Sequence, residues 1–575
     1  MKISGKSLAE RIHECTNELT NPGQKFEIAE KTIGNISYRY FKNAPIDFYD
    51  YIEAGRRFGD KTAIVYEGEA WSFSRFYRQA DNIAYQLVRK ANVTRGDRVA
   101  IAMRNYPEWL SVFVAVVSVG AVAVPLNSWG KEDELKFGLR DCGAKVLFCD
   151  AQRYQYIRNA LPELAVLAIV VRPDVDTRDG SNHLTLEEFM EGSDRLAERR
   201  PIDPADLAMI MYSSGTTGRP KGVALSHLNL TQAMYNYEFL SALTAMMEPE
   251  RIAQLSKKGF EPADLLSVPL FHANGLCATA LPALRAGRKL IIMYKWDTER
   301  ALKLIHEQRI TSIKVSPSML LELLDHPGFS QADTTSLSAL GPGGSAHPAR
   351  LFSLISEKCP DAIAGAGYGT TETGGAVSTL FGNAYQQNPR SAGFVGPLFE
   401  VKICDTNGKT LSTGEQGEIL IKSITTASGG YWKKPDATAE SFVDGWYHSG
   451  DVGFLNEDGL LFITDRIKDM VIRAGENIYC VEVENAIYEH PDVAEVAIFG
   501  IPHEVLGEEL VAAIFPKPNR AMTEEAVKRY MTERIAGFKV PAHVFFYEEG
   551  LPRSPIGKIL KRQLREEAQR ILGRT

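Results

Sequence analysis

The chain has 575 residues, 44% of them hydrophobic, and a net charge of −7 from 65 basic and 72 acidic residues. This length exceeds what one ordinary hydrophobic core supports, so we expect two or more domains. The acidic balance excludes the basic footprint of a nucleic-acid-binding protein. The seven cysteines are odd in number and lack metal-ligand spacing, which predicts reduced thiols and a cytoplasmic location. The N-terminus lacks the apolar core of a secretion signal.

Helix and strand patterns alternate along most of the chain. Ser74 has the character of a helix N-cap, and apolar residues with helical spacing follow it as far as Val88. Residues 109–126 have the length of a membrane span, but Gly120 and Pro125 interrupt them, so we predict a buried helix that runs into a buried strand. This rhythm is typical of a layered α/β protein with mostly parallel sheets. Short apolar runs predict further strands at residues 99–103, 145–149, 265–268, 289–293 and 313–315.

The composition changes after Asp465, where we predict a small α+β unit. Residues 493–499 and 509–515 have the pattern of strands. Thr523 is a candidate N-cap for a helix that Gly537 would close.

The segment YSSGTTGRPKG at residues 212–222 carries the strongest chemical signal. It combines three glycines, four serine and threonine hydroxyls, an arginine and a lysine, and a helix is expected to begin near Ser226. Glycines let backbone N–H groups surround an anion, while hydroxyls add donors and a lysine adds positive charge. We therefore predict a phosphate-binding loop, although the spacing of a Walker A motif is absent.

Five further motifs follow in order, and together with this loop they closely resemble the adenylate-forming superfamily, which includes acyl-CoA synthetases. The motifs are VPLFHANG at 268–275, YGTTETGG at 368–375, GWYHSGDVG at 445–453, DRIKDMVIRAGENIY at 465–479 and SPIGKI at 554–559. The resemblance covers residues 45–570 and implies an ATP- and acyl-binding domain at 45–466. It also implies a small mobile domain at 467–575 with a hinge near Lys468. Residues 1–44 receive no role.

The resemblance implies a reaction in two steps, in which ATP adenylates a carboxylic acid and the thiol of coenzyme A then displaces AMP. Glu372 is expected to hold Mg²⁺ together with phosphate oxygens and water, with Thr217 as a second ligand. The carboxylate of Asp451 suits the two ribose hydroxyls because it can accept two hydrogen bonds. The residues assigned to ATP and AMP are Ser213, Ser214, Gly215, Thr216, Thr217, Gly218, Lys221, Gly344, Ser345, Gly367, Tyr368, Gly369, Thr370, Thr371, Asp451, Arg466 and Lys558.

Lys558 is expected to enter the active site from the small domain, where its ammonium would neutralise the carboxylate and the α-phosphate. His272 would lie at the mouth of the acyl pocket. The pocket is expected to be lined by His272, Asn274, Gly275, Gly341, Gly343 and Gly365.

The opposite face of the small domain is implied to bind coenzyme A. Two glycines are usual in the tunnel loop of the family, and this chain has Ala474 in place of the first, which removes easy access to positive φ. The residues assigned to coenzyme A are Ala474, Gly475, Glu476, Phe538 and Lys539.

The leading interpretation is a fatty-acid–CoA ligase, because the motifs around FHANG and DRIKD look more like fatty-acyl synthetases than amino-acid-activating domains. An aryl or cinnamate-type CoA ligase shares every motif, and a stand-alone enzyme that loads a carrier protein is a second alternative. A catalytically silent scaffold is disfavoured because Glu372, Lys558 and the loop are intact. Peripheral membrane contact is compatible with the sequence, and the oligomeric state is left open between monomer and homodimer.

Overall fold

The structure is a computed structural model, and it describes residues 6–174, 183–192, 201–213, 220–343, 349–474, 476–554 and 557–573, without the side chains of Ala349 and Asn477. The strands of these residues, numbered along the chain, are β1 Ile28–Ile33, β2 Ile36–Phe41, β3 Thr62–Tyr66, β4 Glu69–Ser72, β5 Arg98–Ala102, β6 Val122–Pro125, β7 Val146–Asp150, β8 Leu167–Val171, β9 His183–Thr185, β10 Leu207–Ser213, β11 Lys221–Ser226, β12 Ala263–Leu266, β13 Lys289–Ile292, β14 Ser312–Val315, β15 Ala339–Pro342, β16 Ile363–Thr370, β17 Gly375–Phe381, β18 Gly393–Val395, β19 Phe399–Cys404, β20 Gly417–Ser423, β21 Phe442–Val443, β22 Trp446–Leu455, β23 Leu460–Arg466, β24 Val471–Arg473, β25 Glu476–Ile478, β26 Val493–His503, β27 Gly507–Pro516 and β28 His543–Phe546.

The helices of the same residues follow in the same order. They are α1 Leu8–Thr20, α2 Phe48–Glu53, α3 Phe73–Arg89, α4 Pro107–Ser118, α5 Glu132–Cys142, α6 Ala151–Ile157, α7 Leu161–Leu164, α8 Leu186–Met190, α9 His227–Met247, α10 Pro249–Lys257, α11 Ala273–Gly275, α12 Leu281–Arg285, α13 Thr298–Gln308, α14 Pro317–Asp325, α15 Ala349–Lys358, α16 Gly382–Gln387, α17 Pro435–Ser441, α18 Cys480–Tyr488, α19 Glu524–Thr532 and α20 Lys561–Ile571. A π-helical turn, Leu276–Ala280, joins α11 to α12.

Two large sheets form the body of the chain up to β23. The first has the order β11-β10-β6-β5-β7-β8-β9 and is parallel except for the β10–β11 hairpin. The second runs β19-β20-β22-β23-β18-β17-β16-β15-β14-β12-β13-β3-β4, with β21 paired to β22. Its strands from β16 to β3 are parallel, whereas those from β16 to β19 are antiparallel. The predicted α/β class with mostly parallel sheets is confirmed.

The C-terminal strands form a separate five-stranded sheet, β25-β24-β27-β26, with β28 beside β27. Side chains alternate across a strand, so Val496 and Ile498 of β26 face one side while Ala497 and Phe499 face the other. Helices α18 and α19 cover the first side and α20 covers the second. The α+β character of this unit is confirmed, whereas the domain boundary at 466/467 stays a prediction.

Several local predictions can be compared with the structure directly. The segment 109–126 is a buried helix followed by a buried strand, as predicted. The N-cap of α3 is Ser72, whose side chain accepts from the Arg75 N–H, so the choice of Ser74 was wrong by two residues. Gly537 begins a short 3₁₀ turn after α19 has already ended, so its predicted role as the end of that helix was wrong.

The N-terminal segment packs against the middle of α9. Phe26 and Phe41 lie against Tyr235 and Phe239 of that helix, with ring centroids 5.2 to 5.8 Å apart. The Gln232 side chain accepts from the Phe41 N–H and donates to the Phe41 carbonyl. Residues 6–44 are thus part of the core packing, although no function follows from it.

Candidate active site

A cavity of about 1610 Å³ lies where the carboxyl ends of the large sheet meet the small C-terminal unit. Ligands of open α/β sheets bind at this end of the strands. The cavity brings together residues from all six of the predicted motifs. The predicted residues that line it are Ser213, His272, Gly367, Tyr368, Gly369, Thr370, Asp451, Arg466 and Lys558.

The wall formed by β16 is shaped by its close pairing with β17. A Cβ atom on Gly369 would overlap the Gly375 carbonyl, and one on Gly367 would lie 2.8 Å from the Ser378 carbonyl. These glycines are therefore required by the strand pairing itself. The hydroxyl of Thr370 at the end of β16 is buried and has no hydrogen-bond partner among the described residues. An unsatisfied buried donor beside a cavity suits an anionic ligand.

Asp451 is buried on β22, and both of its carboxylate oxygens are oriented by neighbours. The Tyr368 hydroxyl donates to Oδ2 at 2.7 Å, and the Arg466 Nε lies 3.1 Å from Oδ1. Burial raises the pKa of Tyr368, and the negative charge of Asp451 raises it further, so the phenol keeps its proton and remains a donor. The carboxylate is held rigidly with lone pairs to spare, as a diol-binding group requires.

Glu372 lies over the base of the predicted phosphate loop. Its Oε1 accepts from the Tyr431 hydroxyl at 3.0 Å and from Ser213 Oγ at 3.5 Å. Ser213 and Lys221 face each other across the β10–β11 hairpin, and the Lys221 ammonium lies 4.8 Å from the centre of the Tyr431 ring. The described residues contain no cluster of three or more possible metal-ligating side chains. A single carboxylate beside a phosphate loop fits Mg²⁺, which takes its remaining ligands from phosphates and water.

Lys558 reaches the cavity from the C-terminal unit. Burial and the positive charge of Arg466 lower its pKa to about 8, although Asp469 and Asp451 partly oppose this shift. The loop that carries it is docked against the large domain, because a Cβ atom on Gly557 would lie 2.8 Å from the Ser316 hydroxyl. The C-terminal unit therefore places the positive charge of Lys558 in a cavity that it shares with the large domain.

His272 immediately precedes α11, and its ring lies 4.1 Å from the Phe271 ring. Burial lowers the pKa of His272 to about 4, so the imidazole is neutral at physiological pH. A neutral ring can donate or accept one hydrogen bond without adding charge. It lines the same cavity as Lys558.

The predicted acyl-pocket glycines occupy neighbouring strands and the adjoining helix. A Cβ atom on Gly341 would lie 3.6 Å from the Gly365 carbonyl and 3.8 Å from the Lys314 side chain, so this position has room. Asn274 lies beside Gly343, whereas a Cβ atom on the buried Gly275 would overlap the Pro269 carbonyl. The structure thus places Gly341 and Gly365 side by side and gives Gly275 a packing contact instead.

Among the described residues, those predicted to bind coenzyme A (Ala474, Glu476, Phe538 and Lys539) do not line this cavity. Ala474 has a φ of +52°, so the alanine takes the left-handed conformation that the usual glycine would adopt freely. The Phe538 carbonyl accepts from Arg473 at 2.6 Å, and Lys539 forms an ion pair with Glu482 at 2.7 Å. These contacts place Phe538 and Lys539 near the β24–β25 hairpin.

Several of the predicted site residues lie outside the described part of the chain, and sequence reasoning missed one hydrogen-bond partner. The undescribed ones are Ser214, Gly215, Thr216, Thr217, Gly218, Gly344, Ser345 and Gly475. Thr371 and Glu476 lie within the described part but do not line the cavity. Sequence reasoning overlooked Tyr431, the partner of Glu372. The only signal was its position directly after Gly429 and Gly430.

The fold and this cavity define a protein of two α/β units with a large cavity where the units meet. The family described as AMP-binding enzyme matches residues 52–432, and the AMP-binding enzyme C-terminal domain matches residues 482–558. Because the first match covers more than half of the chain, the chain belongs to the AMP-binding enzyme family.

Named relatives extend over most of the chain. A feruloyl-CoA synthase of Amycolatopsis is 34% identical over 88% of this chain and 95% of its own length. The long-chain fatty-acid–CoA ligase FadD13 of Mycobacterium tuberculosis is 33% identical over 84% of this chain and 91% of its own. The ATP-bound structure of MatB from Rhodopseudomonas palustris superposes with a TM-score of 0.78 and 27% identity over 90% of this chain and 99% of its own.

The chain is accordingly an AMP-forming acid–thiol ligase of the adenylate-forming superfamily, and it uses ATP, Mg²⁺ and coenzyme A. Within the described residues, no helix is long and apolar enough to cross a membrane.

Proposed function

We propose that this ligase activates a carboxylic acid with an apolar body, either fatty or aryl, and transfers it to coenzyme A. The named relatives include both substrate types, a feruloyl-CoA synthase and a long-chain fatty-acid–CoA ligase. The observation that carries the proposal is the position of Lys558 in one cavity with Asp451, Tyr368 and His272. This is the arrangement that the adenylation step requires, with a cation and a ribose acceptor around one space.

In the first step, an anionic carboxylate must approach an anionic α-phosphate, so neutralisation of charge and alignment dominate the barrier. The Lys558 ammonium supplies positive charge at that point. The Thr370 hydroxyl donates to a phosphate oxygen, and Asp451, oriented by Tyr368 and Arg466, accepts from the ribose hydroxyls. Mg²⁺ held near Glu372 and Ser213 would offset the charge of the leaving pyrophosphate. His272 stays neutral and closes the acyl side of the cavity.

In the second step, the small domain is proposed to rotate about Lys468, so that Lys558 leaves and the loop at Ala474 approaches. The separation of the coenzyme A residues from the adenylation cavity supports this division. Two different faces of the small domain then serve the two half-reactions.

The test is pyrophosphate and AMP release from ATP and Mg²⁺ across fatty, benzoic and cinnamic acids, with and without coenzyme A. We expect turnover that depends on coenzyme A, and we expect Lys558→Ala to abolish adenylation while sparing thioester formation from supplied acyl-adenylate. Lys409→Ala, at an exposed turn lysine, is the control. Adenylation without any dependence on coenzyme A would indicate a carrier-loading enzyme instead. Equal loss of both half-reactions in Lys558→Ala would contradict the role of that residue.

A further inference from the structure

A lysine lies inside the large domain, beside the predicted walls of the acyl pocket. Lys314 is on β14, between Ile313 and Val315, which are both completely buried. Lys314 itself keeps part of its surface accessible. Strand β14 is central in its sheet, with β12 and β15 as neighbours. A charged side chain is rarely placed there without a partner.

The ammonium of Lys314 uses only part of its hydrogen-bonding capacity within the described residues. Its Nζ donates to the Ala278 carbonyl at 2.9 Å, and an ammonium has three donors. No carboxylate of the described residues lies within 4.0 Å of it. The neighbouring Asp264 already forms an ion pair with Arg288, which contacts both of its oxygens. Burial lowers the pKa of Lys314, although the negative charge of Asp264 partly opposes this shift.

Lys314 lies beside the glycines that are predicted to line the acyl pocket. Lys314 and Gly341 are directly paired in register, and Gly365 follows on the next strand. Glycines leave this face of the sheet open. On the other side, Ala278 belongs to the π-helical turn that continues from α11, and π-turns are frequent at functional sites.

The same helical segment connects this point to the reaction centre. His272 precedes the segment, and Ala278 lies six positions later. A helical rise of 1.5 Å per residue puts the two about 9 Å apart along the axis. The acid's carboxylate is proposed to react near His272 and Lys558, so an acid that extends from there along this segment brings its remote end toward Lys314.

We propose that Lys314 is a specificity-determining residue that binds an oxygen acceptor at the remote end of the substrate. This proposal rests on the ligase function proposed above and narrows it. The substrate class is a carboxylic acid with a second oxygen group far from its reacting carboxylate, such as a ring hydroxyl or a second carboxylate. An unsubstituted chain would place a methyl group against an ammonium that has lost its water, which is costly.

The test compares acids that differ only at the remote end. Adenylation is measured as kcat/KM for cinnamate against 4-hydroxycinnamate and for octanoate against octanedioate, in the native enzyme and in Lys314→Met. We expect the native enzyme to prefer the oxygenated member of at least one pair, and Lys314→Met to reduce that preference by about 10- to 100-fold, since a hydrogen bond to a charged group is lost. A preference within the cinnamate pair indicates a neutral hydroxyl as the remote acceptor, whereas a preference within the octanoate pair indicates a carboxylate.

Lys289→Met is the matched control. Lys289 lies on β13 of the same sheet and also donates to a backbone carbonyl, that of Gln308 at 3.0 Å. If Lys314 merely supports the Ala278 carbonyl, Lys314→Met should reduce kcat/KM equally for both members of a pair, as Lys289→Met would. An unchanged ratio in Lys314→Met would overturn the proposal, and so would a native preference for unsubstituted acids.

A binding measurement separates this proposal from the ligase function. Melting temperatures are measured with each acid in the absence of ATP, because a ligand that binds the folded state raises them. If no acid is adenylated, the proposed function fails. In that case the oxygenated acids should still raise the melting temperature of the native enzyme more than that of Lys314→Met. Equal rises in melting temperature in the two proteins would overturn the assignment of Lys314.

Discussion

At the scale of single residues, the main feature of the site is that ionisable side chains lie where burial disfavours their charged forms. The proposed role of Lys558 requires a cation, yet burial lowers its pKa to about 8. His272 is kept neutral, with a pKa of about 4. The two shifts have the same cause and opposite consequences. Lys558 loses its positive charge at mildly alkaline pH, whereas His272 stays neutral over the neutral range.

The pH dependence of adenylation should therefore follow Lys558. The ammonium is present below pH 8 and is lost as pH rises through that value, so kcat/KM for ATP should fall above about pH 8, since this parameter reports groups of the free enzyme. Pyrophosphate exchange between pH 6 and 10 measures the effect.

The comparison for this profile is Lys558→Arg, since a guanidinium stays protonated throughout that range. Any activity that this variant retains should lack the alkaline decline. An identical decline in both proteins would assign it to another group.

Residue roles were predictable where a motif carried them, and not where only packing did. Asp451 and Lys558 were found because HSGD and SPIGK are recognisable in one chain, and the structure brings both to one cavity. Tyr431 and Lys314 belong to no quoted motif. Their importance comes from contacts with Glu372 and Ala278, which are distant in sequence.

At the scale of elements, the glycines of β15 and β16 have two different purposes. Gly369 allows the backbone of β17 to approach, whereas Gly341 leaves space in front of Lys314. A sequence pattern rich in small residues predicts both strands as pocket walls. It does not distinguish a glycine required by strand pairing from one required by a ligand.

Two alanine variants distinguish these purposes. Gly369→Ala should destabilise the fold by about 1–3 kcal/mol, because the added methyl overlaps backbone that cannot move freely. Gly341→Ala should leave the melting temperature nearly unchanged, since its methyl would lie at ordinary contact distances of 3.6 and 3.8 Å. The second variant should instead lower kcat/KM for the bulkier acids. Thermal unfolding and adenylation assays decide, and equal destabilisation by both variants would contradict the distinction.

At the scale of the whole molecule, catalysis depends on how the small domain docks. Gly557 has a φ of +79° and lies against Ser316 of the large domain. Its neighbour Lys558 lines the cavity in this docked arrangement. The proposed adenylation site is therefore assembled across the contact between the two units.

Gly557→Ala should weaken this docking. The added methyl would lie 2.8 Å from the Ser316 hydroxyl, and overpacking of this kind costs about 1–3 kcal/mol, which corresponds to roughly a 5- to 150-fold loss of adenylation. Thioester formation from supplied acyl-adenylate should be spared. The control is Gly550→Ala, which carries a similar φ of +84° with no atom closer than 3.8 Å. Comparable losses of adenylation in both variants would show that backbone strain alone, and not docking, is responsible.

The sequence by itself determined the class of fold, the two-unit organisation of its patterns and the chemistry of the first step, because these depend on local periodicity and on residues that are close in sequence. The tertiary structure decided which strands pair, that Tyr368 and Arg466 orient Asp451, and that Lys314 lies opposite Ala278. Such contacts join segments separated by tens of residues. They are fixed by packing and by the burial of charge, which no local pattern encodes.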